Sequence, residues 1–148
     1  METIKLTNDY DFQAAADGWI DPDRVRAVEM EALVDTGATT LVLPAEVVER
    51  LGLPVRGFRR IRYADERVVE VPWVGGVKLE IRGRESLGSA LVGPAGSTAL
   101  IGQIPLEEMD FVVDPKSREL RANPRPPDAP LLDVLGADAG GGVRALAQ

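Results

Sequence analysis

One acidic turn, Asp35-Thr36-Gly37, constrains the fold more than any other feature of the sequence. It lies between residues 32–34 (Ala-Leu-Val) and residues 41–43 (Leu-Val-Leu), two runs that are too apolar for surface loops. This pattern predicts that one buried strand delivers a carboxylate onto a tight turn and that a second buried strand follows. Asp-Thr-Gly occurs only once in the 148 residues, so each chain supplies one such carboxylate.

The rest of the chain predicts about nine short strands and one or two brief helices, an all-β pattern with the spacing of a small barrel or sandwich. A two-turn helix is expected over residues 45–51, because Pro44 precedes it and Gly52 ends it. Residues 8–23 read as an ordered loop or a turn of helix around residues 12–16, with Trp19 and Ile20 as core anchors. Residues 58–63 and 67–74 predict a projecting hairpin whose polar tip is residues 64–66.

The domain is expected to span residues 1–122, since the composition changes at Asn123. Residues 123–148 are rich in Pro and Gly and predict a flexible tail. The apolar segment Leu131–Leu135 is the exception, and it is a candidate for docking on a partner or on the domain itself.

Composition excludes several kinds of chemistry. The chain has no His and no Cys, so thiol nucleophiles, Ser-His-Asp triads and zinc sites built from these residues are ruled out. A net charge of −7, from 17 basic and 24 acidic residues, argues against nucleic acid or an anionic membrane as a partner. No signal segment or membrane span is indicated, which makes the cytoplasm the expected location. Any hydrolysis must therefore depend on carboxylates, and no cofactor is expected.

The Asp-Thr-Gly turn by itself is weak evidence of a functional site. The simplest interpretation is that Asp35 caps a β-turn with its side chain while Gly37 takes a positive φ. The two flanking apolar runs argue against this, because an acid between two core strands needs a reason.

The residues from Ala32 to Thr40, followed by Leu41-Val42-Leu43-Pro44 and a short helix, resemble the retropepsin-like (clan AA) aspartic proteases, in particular the small soluble bacterial type. The hairpin around residues 64–66 is similar to the flap of that family. Residues 90–94 are similar to the strand and loop behind the flap, and residues 99–102 to its apolar-apolar-Gly motif. The resemblance covers roughly residues 25–120 and implies a closed barrel of short strands.

The resemblance also implies an aspartic endopeptidase that works as a homodimer, with one Asp35 from each chain at the two-fold axis. Two carboxylates about 3 Å apart share one proton, so one activates water while the other bonds the scissile carbonyl. No metal is needed. The implied roles are catalysis for Asp35, Thr36 and Gly37, substrate binding for Ala38, Thr39, Ala64, Asp65 and Glu66, and support of the site for Ile101 and Gly102.

Two departures from the viral members affect this expectation. The flap tip is charged instead of glycine-rich, and Thr39, Thr40 and Gln103 replace an acid and an Arg that form an ion pair in those enzymes. The dimer is therefore expected to use another contact, with residues 111–113 and 118–120, and also residues 4–7, as candidates for an intermolecular sheet. The alternative function is a catalytically weak or inactive module for dimerisation or peptide binding.

Overall fold

The computed structural model describes residues 1–124, and most of them lie in strands. The strands are β1 (Glu2–Asn8), β2 (Ala27–Val34), β3 (Leu41–Pro44), β4 (Val55–Arg62), β5 (Val68–Ile81), β6 (Arg84–Gly93), β7 (Ala99–Ile101), β8 (Phe111–Val113) and β9 (Leu120–Ala122). The helices are α1 (Asp9–Ala16), α2 (Ala45–Leu51) and α3 (Gln103–Glu108), with a 3₁₀ turn at Pro22–Arg24. Within this part of the chain, no helix is long and apolar enough to cross a membrane.

Six strands close into a barrel. They follow the order β1-β2-β7-β3-β6-β5, and β5 returns to pair with β1. The all-β barrel expected from the sequence is therefore confirmed. Strand β4 lies outside the barrel, as it pairs only with the first half of β5. The predicted hairpin is thus an extension of a barrel strand.

The barrel interior holds the core, and simple alternation selects its residues. On β2, Val28 and Ala32 are buried, whereas Glu29 and Glu31 between them are exposed. Strand β1 contributes Ile4 and Leu6 in the same way. Helix α2 adds its buried face and ends at Gly52, which adopts φ 63° and stops the helix as the sequence predicted.

The segment after β1 is more helical and less buried than expected. The Asn8 side chain accepts a hydrogen bond from the Asp11 N–H at 3.0 Å, and so caps a helix of eight residues. No residue of α1 is buried, and Trp19 is 81% exposed. The prediction that Trp19 anchors the core is wrong, because large apolar residues occur on surfaces as well as inside. Ile20 is only partly buried.

Gly75 and Gly76 form a bulge within β5. The pairing of β5 with β6 shifts register between Val74 and Val77, and the strand continues to Ile81. Gly76 has φ 72°, and a Cβ there would overlap the ring of Tyr10. One strand therefore links the hairpin to the barrel wall.

Strands β8 and β9 form a separate two-stranded sheet after α3. Arg84, only 4% exposed, attaches this sheet to the barrel by donating to the carbonyl oxygens of Met109, Asp110 and Asn123 at 2.7–3.0 Å. The predicted boundary at residue 122 thus falls one residue before a contact of the domain. The predicted tail from residue 125 onward, including Leu131–Leu135, lies outside the described residues.

Strand β1 is not available for an intermolecular sheet, contrary to one expectation. It pairs with β2 along one edge and with β5 along the other. Within residues 1–124 the β8–β9 sheet pairs with no other strand, so its two outer edges remain candidates for such a contact.

Candidate active site

Parallel pairing of β2 with β7 positions Asp35. Val34 lies opposite Ile101, and the Asp35 N–H donates to the Ile101 carbonyl oxygen at 3.0 Å, one residue beyond the strand. The chain leaves the sheet at this point, so the carboxylate lies at the end of a core strand. Asp35 is partly exposed, whereas Ile101 is fully buried.

Local hydrogen bonds fix the orientation of the carboxylate. The Gly37 N–H donates to Asp35 Oδ1 at 2.9 Å, and the Ala38 N–H donates to the Asp35 carbonyl oxygen at 3.1 Å. Within residues 1–124, Asp35 Oδ2 has no hydrogen-bond partner. The simple capping interpretation is therefore half right, since Asp35 does cap its own turn. Gly37, however, is not among the residues with positive φ.

Gly102 supports the turn from below through close backbone contact. A Cβ on Gly102 would lie 2.5 Å from the Thr40 carbonyl oxygen and 2.6 Å from the Ala38 carbonyl oxygen. The next two N–H groups hold the same loop, because Gln103 donates to the Ala38 carbonyl oxygen at 3.0 Å and Ile104 to that of Thr39 at 2.9 Å. Only glycine lets the two segments approach this closely.

Gln103 also contacts the turn with its side chain. Its Nε2 donates to the Thr36 carbonyl oxygen at 3.3 Å. Sequence comparison noted Gln103 only as a departure from the viral pattern, whereas the structure makes it a positioning residue for the turn. The Thr36 side chain is exposed, and its hydroxyl has no hydrogen-bond partner in the described part of the chain.

An apolar row crosses the sheet beside Asp35. Leu33 pairs with Leu100, which pairs with Val42, which pairs with Leu91, which pairs with Trp73. Side chains at paired positions share a face, and alternation along β2 gives Asp35 the same face as Leu33. Leu33 is 43% exposed and the others are partly exposed. We call this surface the cleft face; it is suited to apolar side chains of an extended peptide.

The sequence did not single out this row, although its signal is present there. Leu33 directly follows the buried Ala32 and therefore lies on the opposite face of the strand. Leu100 follows the buried Ala99 in the same way. Recognising them as one surface requires the strand pairing, which joins residues 67 positions apart along the chain.

The hairpin tip is held by contacts within the hairpin itself. The Tyr63 N–H donates to the Arg67 carbonyl oxygen at 2.9 Å, and Arg62 pairs with Glu66 at 2.9 Å. Ala64, Asp65 and Glu66 are exposed. Within residues 1–124, no hydrogen bond joins this tip to the Asp35 turn. The single chain thus brings residues 35–39 together with Ile101 and Gly102, whereas no described hydrogen bond links the tip residues to them.

Comparison with known proteins agrees with this geometry. The model of one family, described as gag-polyprotein putative aspartyl protease, matches residues 24–108. The matched region contains the Asp35 turn, the hairpin and Gly102. A search of curated proteins found no significant match.

Proposed function

The chain belongs to the gag-polyprotein aspartyl protease family, and from that premise we propose that it is an aspartic endopeptidase that acts as a homodimer on extended peptide segments. The observation that carries the proposal is the Asp35 turn. Within residues 1–124 its carboxylate accepts a hydrogen bond through Oδ1 alone, at the end of a core strand and on the same face as a partly exposed apolar row. A turn that served only to end a strand would not need a carboxylate with one free oxygen beside an apolar surface.

The dimer follows from the count of carboxylates. Two acids that share a proton are needed for this chemistry, and the chain has one Asp-Thr-Gly turn. A two-fold interface supplies the second Asp35 and places each copy of the turn opposite the other. The exposed Thr36 hydroxyl is then available to bond across the axis, and the open edges of the β8–β9 sheet supply a further contact between the chains.

The reaction needs only the two carboxylates and one water. The ionised Asp35 removes a proton from the water as it attacks the scissile carbonyl carbon, while the protonated Asp35 donates to the carbonyl oxygen. The tetrahedral intermediate then collapses, the C–N bond breaks, and a proton passes from the carboxylates to the leaving amine. The peptide lies on the cleft face as an added strand beneath the hairpin, with Ala38 and Thr39 beside it and residues 64–66 above it.

The first experiment compares cleavage of an unfolded protein by wild type and Asp35→Asn. We expect activity to fall by about 10²–10⁴-fold, since a general acid–base pair is lost. Asp23→Asn is the matched control, because Asp23 is an exposed acid on the 3₁₀ turn, outside the proposed site. Equal cleavage by wild type and Asp35→Asn would refute the proposal.

A mixing experiment tests whether the site is shared between chains. Wild type and Asp35→Asn are refolded together in equal amounts, so that the subunits combine at random. A site built from two chains leaves about a quarter of the dimers active, whereas a site within one chain leaves about half of the activity. A monomer in sedimentation under assay conditions would also refute the shared site.

Location in the cytoplasm is part of the same proposal, and cell fractionation would test it.

A further inference from the structure

The hairpin carries a cation on its cleft face. Trp73 belongs to the apolar row and pairs with Gly57 on β4, so position 57 faces the same way. Arg59 lies two residues further along β4 and therefore shares this face. Its guanidinium lies over the indole of Trp73, with Cζ 4.7 Å from the ring centroid, which supports the same placement.

Within residues 1–124, Arg59 forms no ion pair, and no acidic residue lies opposite it on β5, where its register partner is Val71. Arg62 is paired with Glu66, and Arg60 lies opposite Glu70 on the other face of the hairpin. Within residues 1–124, the one described contact of the Arg59 side chain is the Trp73 ring, and the residue is exposed. A positive charge is thus held in place beside the cleft in a protein of net charge −7.

The stacked geometry suits recognition of a carboxylate. A guanidinium presents paired N–H donors that match the two oxygens of Asp or Glu, and its flat face remains stacked on an aromatic ring while the edge binds. Stacking also restricts the long side chain before binding, which reduces the conformational entropy lost on forming the ion pair.

We propose that Arg59 is a specificity-determining residue that selects substrates with an acidic side chain at the position where the bound peptide passes the Trp73 end of the apolar row. The inference rests on the proposed function, because it assumes that a peptide binds between the Asp35 turn and the hairpin. The preferred substrate then combines apolar side chains, which contact the row from Leu33 to Trp73, with an Asp or Glu that reaches Arg59.

Pairs of peptides that differ only by Glu or Gln at each position around one cleavage site test this inference. Wild type is expected to cleave the Glu peptide with kcat/KM about tenfold higher at one position, as for a charge-assisted hydrogen bond. Arg59→Gln should remove that preference. Arg59→Glu should instead favour a third peptide that has Lys at the same position. Arg60→Gln, on the opposite face of the same strand, should leave it unchanged. A Glu preference that survives in Arg59→Gln, or one that is lost equally in Arg60→Gln, overturns the inference.

Binding measurements separate this inference from the proposed function. The sequence has two Trp residues, so Trp19→Phe leaves Trp73 as the single fluorophore. In an Asp35→Asn background, the Glu peptide should bind about tenfold more tightly than the Gln peptide, and the difference should shrink as salt rises. If wild type cleaves nothing, the proposed function fails. The affinity ratio then still shows whether Arg59 recognises an acidic side chain. Equal affinities overturn the role of Arg59.

Discussion

Replacing Gly102 with Ala tests how the Asp35 turn is supported. The added Cβ would lie 2.5–2.6 Å from three backbone atoms of residues 38 and 40, and backbone cannot move aside as a flexible side chain can. Overpacking of this kind costs about 1–3 kcal/mol. The shift also endangers the bonds from Gln103 to Ala38 and from Ile104 to Thr39, which contribute about 0.5–1.5 kcal/mol each.

The free energy of unfolding should therefore fall by about 2–6 kcal/mol, as measured by urea denaturation. Activity should fall even in the fraction that remains folded, because the displaced residues 38–40 directly follow the Asp35 turn. Gly88→Ala is the matched control: a Cβ there meets nothing within 4 Å and its φ is ordinary. We expect a change within about 0.5 kcal/mol for that variant. If Gly102→Ala proves as stable as Gly88→Ala, the argument for close backbone support is refuted.

Three further predictions concern the scaffold. Asn8→Ala should lower stability by about 2–4 kcal/mol in urea melts, because it removes the cap of α1 and the buried bond to the Leu51 carbonyl oxygen; a loss below about 1 kcal/mol would contradict this. Arg84→Leu should cost at least about 3 kcal/mol by leaving three carbonyl groups without their donor, whereas Arg121→Leu, which breaks a single ion pair made by an exposed guanidinium with Asp114, should cost less than about 1 kcal/mol. The hydrogen bond from Arg26 holds the pKa of Asp11 below its usual value, so this pair stabilises the fold above the unfolded pKa of about 3.9 and ceases to do so as pH falls through the folded pKa. The stability difference between wild type and Asp11→Asn should thus be constant near neutral pH and vanish in acid, and a difference that persists there would refute the linkage.

Much of the fold was predictable because local signals agree with the tertiary structure. Pro44 and Gly52 bound α2, and the polar tip at residues 64–66 marks the hairpin. The Asp35 turn and the glycine at 102 were also found by pattern, since each follows an apolar run that becomes a core strand. In these places the sequence and the packing favour the same conformation.

The remaining features depend on contacts between distant residues. The Asn8 side chain caps α1 and also donates a hydrogen bond to the Leu51 carbonyl oxygen, 43 residues away. The local sequence does not reveal this second contact. The exposure of Trp19 depends on how little of α1 the barrel covers. The grouping of Leu33 with Trp73, and with it the position of Arg59, requires the pairing of five strands.

The parallel pairing of β2 with β7 also determines when the site can form during synthesis. The Asp35 N–H finds its acceptor only when Ile101 is in place, and the N–H groups of Gln103 and Ile104 then hold the loop that follows Asp35. Contacts of such sequence separation form late, after local helices and hairpins. A ribosome that has released only the first half of the chain therefore carries Asp35 without its geometry. Under the proposed function, the nascent chain thus has no organised site with which to cut other nascent chains or itself.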